Sequence, residues 1–254
     1  MFKQVTFGVT VLSLALALTP TAQAGTLTGE LGILDLAANG GVNPATGNPW
    51  AYGDYYRFVF ITSEEGDSYP TSSDISTYND MVQGLANASS LNIGEDDNAI
   101  WRVIGSTADV DARDNTWTNP DEDGTGHAIF LLDGSTIVAN DYPDLWDGDI
   151  QHIINVTEKG ETRTSWPYTG TYLDGTSVED DGNSFSVFGG GGDVHQGNGG
   201  NTTEWVWRQW TGDTVDLPYY AMSWPQMIVP EPATLALLGV GGLGTLLARR
   251  RRRQ

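Results

Sequence analysis

The stretch Tyr55-Tyr56-Arg57-Phe58-Val59-Phe60-Ile61-Thr62 joins aromatic and β-branched residues without a glycine or proline, which predicts a β-strand. A helical pattern follows it. Ser73 or Asp74 can cap a segment in which apolar residues recur every three to four positions. Those apolar residues are Ile75, Tyr78, Met81, Val82 and Leu85. The two segments together predict a strand followed by one amphipathic helix.

More strand-like segments follow the helix. They are residues 99–104, 128–132, 136–138, 205–207 and 219–224. Asp133-Gly134 separates the second of these from the third, and this dipeptide between two apolar runs is typical of a hairpin turn. The order of one strand, one helix and then several strands predicts an α+β fold.

The N-terminus has the three regions of a secretory signal peptide. Lys3 precedes an apolar run over residues 9–18, and Pro20 then leads to Ala22-Gln23-Ala24. A membrane anchor is the alternative, but the run is about half of the roughly 20 residues that a spanning helix needs. We therefore expect cleavage after Ala24, so that residues 1–24 are removed on export.

The C-terminus combines a proline-bounded segment, an apolar run and a block of arginines. Pro230-Glu231-Pro232 interrupts the chain, and the uncharged residues 233–248 would form a helix roughly 24 Å long. This is a short transmembrane span, which includes Ala233, Leu238, Leu243 and Ala248. Five terminal arginines, expected at the cytoplasmic face, follow it as Arg249, Arg250, Arg251, Arg252 and Arg253.

These C-terminal features resemble the PEP-CTERM sorting signal of Gram-negative bacteria that make exopolysaccharide. Val229-Pro230-Glu231-Pro232, the Gly/Leu-rich span and the arginine cluster carry the resemblance. It implies that a membrane protease of the exosortase type cuts near the Pro-Glu-Pro segment. It also implies an inner-membrane precursor and a mature form at the cell surface or in the extracellular matrix.

The remaining residues, 25–229, are expected to form one extracytoplasmic domain, and residues 230–254 the sorting and anchor segment. Outside the targeting segments the chain has six basic and 32 acidic residues, which makes nucleic acid an unfavourable partner. The chain has no Cys, so its core must hold the fold without disulfides. Gly- and Asp-rich residues 38–48, 115–126 and 175–200 are expected to be exposed loops of variable conformation.

Several short motifs along the domain resemble the endostatin-like branch of the C-type lectin-like fold. They are Trp101-Arg102-Val103-Ile104, Val110-Asp111-Ala112-Arg113, Ile129-Phe130-Leu131-Leu132-Asp133-Gly134, Leu145-Trp146-Asp147-Gly148 and Tyr168-Thr169-Gly170-Thr171-Tyr172-Leu173-Asp174-Gly175. The resemblance implies a single C-type lectin-like domain with long loops. The family's disulfides and its Glu-Pro-Asn and Trp-Asn-Asp tripeptides are absent, so calcium-dependent sugar binding by that route is not implied.

Motifs for catalysis are absent from the sequence. His127, His152 and His195 lack metal-ligand spacing, and each is expected on the surface or in a loop. No Gly-x-Ser-x-Gly occurs, and Gly189 to Gly192 lacks the Gly-Lys-Ser/Thr of a phosphate-binding loop. We therefore predict that the protein is not an enzyme and has no catalytic residues.

Calcium is the candidate cofactor, because acidic loops supply the oxygen ligands that it prefers. The candidate ligands are Asp109, Asp111, Asp114, Asp121 and Asp123, with a further acidic group at Asp144, Asp147 and Asp149. No group matches an EF-hand loop, since Arg113 stands where a ligand is needed. The alternative is an acidic surface in water.

A binding or structural role at the cell surface, associated with exopolysaccharide, agrees with all these features. Trp205, Trp207 and Trp210, with Glu204 and Arg208, are either core residues, which is the favoured interpretation, or a sugar-stacking face. Two other functions stay open: a secreted polysaccharide hydrolase with two carboxylates in a cleft, and an acidic coat protein without a specific ligand.

Overall fold

The predicted strand at Tyr55 lies at the centre of the larger of two sheets. The structure, a computed structural model, describes residues 27–63, 70–97, 99–178, 185–190, 193–211 and 216–231. The strands are β1 (Leu27–Gly29), β2 (Tyr55–Ile61), β3 (Trp101–Val103), β4 (Ala128–Leu131), β5 (Ile137–Ala139), β6 (Phe185–Ser186), β7 (Asp193–Gln196), β8 (Gln209–Thr211), β9 (Tyr220–Ser223) and β10 (Gln226–Pro230). The helices are α1 (Ile75–Asn87), α2 (Ala112–Asn115), α3 (Pro120–Asp123) and α4 (Tyr142–Leu145). The prediction of a mixed helix and strand fold is confirmed, and the domain is rich in sheet.

The larger sheet has seven strands, with β1, β10, β2, β4 and β5 in that order. The strand β9 pairs with the second half of β2, beyond the start of β10, which pairs with the first half of β2. The strand β3 pairs with the other edge of β9. Only β2 and β4 are parallel in this sheet, within the described residues. A smaller sheet consists of β6, β7 and β8.

Both faces of the larger sheet are buried. Alternate side chains of β2 divide between two apolar clusters, with Tyr56, Phe58 and Phe60 on one face. Val59 and Ile61 lie on the other face. Helix α1 covers the first face, whereas α2, α4 and the segment around Trp205 cover the second. Arg57 lies two residues before Val59 in β2, so its side chain points to the same, second face.

Helix α1 confirms the predicted amphipathic helix. Asp74 caps it, since the Asp74 side chain accepts a hydrogen bond from the Ser76 backbone N–H at 2.9 Å. The buried residues Tyr78, Val82 and Ala86 face the sheet. The predicted hairpin is also present, because β4 and β5 pair antiparallel on either side of Gly134, whose φ is 77°.

Three sequence expectations are wrong. Residues 205–207 form no strand; Trp205 is buried there, whereas Trp207 is 38% exposed. Residues 115–126 are not simply an exposed loop, because they contain α3 and the buried side chains of Thr116, Thr118 and Asn119. The third error concerns residues 175–200, which were expected to be an exposed loop but contain β6 and β7, so that His195 lies buried in β7 instead of in a loop or on the surface.

Candidate functional site

The side chain of Arg57 is 2% exposed, although it carries a charge in the middle of β2. Its Nε donates to the Tyr142 hydroxyl at 2.8 Å. Nη1 donates to the carbonyls of Thr116 at 2.7 Å and Ser223 at 3.1 Å, and Nη2 donates to the carbonyl of Trp117 at 2.9 Å. All four acceptors are neutral oxygens. The guanidinium therefore ties together β2, β9, α4 and the segment that follows α2.

Trp117 is held in a conformation that large side chains rarely adopt. Its φ is 53°, in the left-handed region. The carbonyl of Trp117 accepts from Arg57, and its N–H donates to the carbonyl of Asp114 at 3.1 Å. The indole packs against that of Trp224, with ring centroids 4.4 Å apart, yet Trp117 is 47% exposed. Such an outlier is a reason to look for function at this position.

Arg57 and Trp117 border a pocket of about 530 Å³, which is within the usual size range of small-molecule sites. The pocket lies at the end of the larger sheet where β2 and β4 begin and where Pro225 connects β9 to β10. Its lining combines aromatic and polar side chains with glycine backbone. The lining residues are Arg57, Trp117, Asp123, Gly124, Thr125, Gly126, His127, Tyr142 and Pro225.

His127 supplies an uncharged polar group to this pocket. Burial lowers the pKa of His127 to about 4, and the nearby positive charge of Arg57 acts in the same direction, against an opposing effect of Asp54. At neutral pH the imidazole is therefore neutral, and it can both donate and accept a hydrogen bond. Its ring centroid lies 5.3 Å from that of Tyr55 and 5.9 Å from that of Tyr142.

The pocket therefore offers one cation, one neutral imidazole and one carboxylate beside aromatic rings. The carboxylate is Asp123, an exposed side chain at the end of α3 whose Oδ2 accepts from the Asn119 N–H at 3.0 Å. Burial raises the pKa of Tyr142, an effect that Arg57 opposes, so its hydroxyl stays protonated at neutral pH. Such a set of groups can bind a polar ligand that has an apolar face.

The predicted calcium ligands have protein partners in most cases. Asp111 accepts from the Ser177 N–H at 2.7 Å, and Asp114 accepts from the Asn119 amide at 2.7 Å. Asp121 is 3.9 Å from Arg113, and Asp109 is exposed. Across the described residues, no three His, Cys, Asp or Glu side chains are arranged to hold a metal ion. Calcium binding stays a prediction.

A second group of aromatic side chains lies away from the pocket. Trp166 is 44% exposed, and the Arg208 guanidinium lies 5.0 Å from its ring centroid. Trp207 contacts the rings of Tyr172 and His195, and Glu204 pairs with Arg208 at 3.3 Å. The core interpretation is thus confirmed for Trp205 and wrong for Trp207, which is exposed.

No local motif in the sequence indicates the pocket directly. Its central residue, Arg57, was read as part of an apolar strand, although a lone arginine among buried positions needs several hydrogen-bond acceptors. This need for buried hydrogen-bond acceptors around Arg57 is the feature of the sequence that could have indicated the site. The remaining lining comes from Trp117 and residues 123–126, which belong to the predicted exposed loop 115–126, and from His127, Tyr142 and Pro225.

The beginning of the predicted sorting segment is part of the fold. Val229 and Pro230 belong to β10 and pair with Thr28 and Leu27 of β1, and Glu231 is exposed. Pro232, the predicted span over residues 233–248 and the five arginines lie outside the described residues, as does the predicted signal peptide. No helix in the described ranges is long and apolar enough to cross a membrane.

Comparison with known proteins identifies the role of this C-terminal segment. Residues 229–253 match the family model of the PEP-CTERM protein-sorting motif. The motif supports an exosortase substrate, and it implies export, sorting to the cell surface and exosortase as the processing partner. No curated protein matches the chain.

Proposed function

We propose that the mature protein is a carbohydrate-binding component of the cell surface or extracellular matrix, associated with exopolysaccharide. In this proposal the sorting segment anchors the precursor in the inner membrane, and the pocket around Arg57 and Trp117 binds the sugar. The observation that supports binding is the exposed indole of Trp117, which lines a pocket that also contains polar groups.

Trp117 has the features of a stacking platform for a sugar ring. Its indole is already packed against Trp224, so little side-chain freedom remains to be lost when a ligand binds. An aromatic ring offers a flat apolar surface to the C–H groups of a pyranose. The neighbouring His127, Asp123 and Arg57 provide donors and acceptors for hydroxyl groups.

Hydrolysis of a polysaccharide is the alternative, and it needs two carboxyl groups about 5 to 10 Å apart. Asp123 is the one carboxylate among the described lining residues. This composition favours binding over catalysis. Release of reducing ends from a polysaccharide by the purified protein would contradict the binding proposal.

The C-type lectin-like fold belongs to this proposal as well. The order of β2, α1, the β4–β5 hairpin and the Trp146 segment supports it. Trp146 is buried, and its Nε1 donates to the Thr118 hydroxyl at 2.9 Å, so the motif Leu145-Trp146-Asp147-Gly148 packs against the loop that carries Trp117. An experimental structure superposed on known members of that fold would test the assignment.

Binding can be tested with two tryptophan variants of similar exposure. Trp117→Ala removes a residue of the pocket, whereas Trp166→Ala removes an indole that is not among the lining residues. We expect Trp117→Ala to weaken retention on immobilised polysaccharide about tenfold, which corresponds to about 1.4 kcal/mol. Trp166→Ala should leave retention unchanged.

Two outcomes would contradict this assignment. Equal losses in the two variants would mean that the pocket is not the binding site. Absence of retention of the unmodified protein on a panel of neutral and acidic polysaccharides would favour a coat protein without a specific ligand. Circular dichroism of each variant serves as the control for folding.

A further inference from the structure

The charge of Arg57 has no carboxylate partner within ion-pair distance among the described residues. Four of its five N–H bonds are directed at the neutral oxygens of Tyr142, Thr116, Ser223 and Trp117. Hydrogen bonds to neutral oxygens satisfy the donors and leave the net charge in place. A buried cation of this kind attracts any anion that enters the adjacent pocket.

The acidic groups near the pocket neutralise this charge only in part. Asp123 lines the pocket, but it is exposed and its Oδ2 accepts the N–H of Asn119. At His127, the positive charge of Arg57 outweighs the opposing effect of Asp54. Tyr142, an aromatic neighbour of His127, carries no charge at neutral pH, because burial raises its pKa. The part of the pocket beside Arg57 and His127 is therefore locally positive in an acidic protein.

We propose that the pocket binds a uronic acid residue of an acidic polysaccharide, with the carboxylate beside Arg57 and His127 and the sugar ring on Trp117. This proposal rests on the proposed function, because it specifies the class of sugar that the same pocket takes. A planar carboxylate suits an arginine whose guanidinium is already fixed, since its orientation needs no further ordering. The neutral imidazole can donate a second hydrogen bond to the same group.

The large negative charge of the domain does not prevent such binding. At physiological ionic strength, charges more than about 8 Å apart in solvent are largely screened, whereas the buried Arg57 is screened much less. The acidic surface instead disfavours binding of a polyanion anywhere else on the domain. Together the two effects would limit an acidic polymer to contact through this pocket.

A matched pair of ligands measures the contribution of the carboxylate to the binding affinity. Methyl β-glucuronide and methyl β-glucoside share a ring and differ only in the group at C6, and the corresponding galactose pair covers the other common ring geometry. Isothermal titration calorimetry of the full chain should show the uronide of at least one pair binding at least tenfold more tightly than its neutral partner. The preference should shrink only modestly as sodium chloride is raised, because the buried Arg57 is screened less than charges in solvent.

The variant Asp123→Asn provides a test that does not depend on removing Arg57, whose loss would disturb the fold. Without the Asp123 charge, the affinity for the uronide should rise severalfold, because one repulsive interaction disappears. Affinity for the neutral glycoside should not rise, because that ligand carries no charge for Asp123 to repel. In NMR titrations of the unmodified chain, the uronide should raise the pKa of His127 from about 4, and the neutral glycoside should not.

The possible results separate this inference from the proposed function. Equal affinity for the uronide and the neutral glycoside, with loss of both in Trp117→Ala, would overturn the uronate assignment and leave the carbohydrate site intact. If no glycoside binds and the protein is not retained on immobilised polysaccharide, both proposals are overturned. A uronide preference that survives unchanged in Trp117→Ala and in Asp123→Asn would place acidic-sugar binding outside this pocket and overturn the assignment.

Discussion

Trp117 shows how one buried charge can fix one exposed ring. Arg57 donates to the carbonyls of Thr116 and Trp117, which belong to the two peptide groups on either side of the Trp117 Cα, and these two contacts hold the residue at a φ of 53°. A left-handed conformation costs a non-glycine residue about 1–3 kcal/mol. The hydrogen bonds to a charged donor, each worth about 1.5–3 kcal/mol, offset this cost. The indole is therefore presented in a preset orientation.

Gly126 is a second residue on which the pocket depends. Its φ is 63°, and a Cβ atom there would lie 2.0 Å from Cε2 of Tyr142. Gly126→Ala must displace the Tyr142 ring and lengthen its hydrogen bond to Arg57. We expect the free energy of unfolding of the variant to be lower by about 2–4 kcal/mol and its glycan binding to be lost. Equilibrium unfolding in urea and a glycan-binding assay would measure the two effects.

Gly47→Ala is the matched control for that substitution. Its φ is 69°, close to that of Gly126, but nothing lies within 4 Å of the added Cβ. Only the backbone cost remains, about 1 kcal/mol, and glycan binding should be kept. If the two variants are equally destabilised and both bind, the Tyr142 contact does not support the pocket.

Helix α1 covers one face of the larger sheet. Val82 is fully buried there, whereas Asp80, two residues earlier, is exposed. Val82→Ala should lower the free energy of unfolding by about 2 kcal/mol, because buried methyl groups are removed and a cavity remains. Asp80→Ala should change it by less than about 0.5 kcal/mol. Equal effects in a thermal or urea unfolding experiment would mean that α1 is not packed on the sheet.

The elements that the sequence predicted correctly are those with a long or regular pattern. Strand β2, helix α1 and the β4–β5 hairpin each repeat their periodicity over several residues or flank a diagnostic turn. Helices α2, α3 and α4 have four residues each, which is too short for a helical period to be visible. The order of strands in the sheet was also not predictable, because it depends on pairing between distant segments such as β1 and β10.

The site was less accessible to prediction than the fold. Local sequence around Arg57 indicates a strand, and nothing in it reveals that the acceptors come from residues 85 or 166 positions away. The conformation of Trp117 has no local signal either, since it results from the contacts with Arg57 and Trp224. The sorting segment, by contrast, was predictable because its function depends on a contiguous motif.

For the whole molecule, the end of β10 sets where the domain can be separated from its tail. Pro230 is the last residue of β10 and pairs with Leu27, so a cut after Pro230, for example behind Glu231, leaves the larger sheet complete. A chain that ends at Glu231 should be found in the soluble extracytoplasmic fraction with the same unfolding midpoint. The full chain should be found with the membrane, and replacing the five terminal arginines by glutamine should weaken its retention.

Cell fractionation followed by thermal unfolding would measure both properties. Membrane retention of the shortened chain equal to that of the full chain would contradict anchoring by the tail. A chain that ends at Pro225, which lacks β10, is the control; it should fail to fold, because β10 joins β1 to β2.

The pairing of Leu27 with Pro230 also has a mechanical consequence. In the precursor, the chain enters the domain at Leu27 and leaves it at Pro230, at the same end of the β1–β10 pair. Tension between these two points would break the hydrogen bonds between β1 and β10 one after another. After removal of the leader peptide, tension can enter only through the tail. A polymer held in the pocket near Pro225 would then pull along β10, whose hydrogen bonds to β1 and β2 would share the force. The domain would resist a load applied through its ligand better than one applied across its two ends.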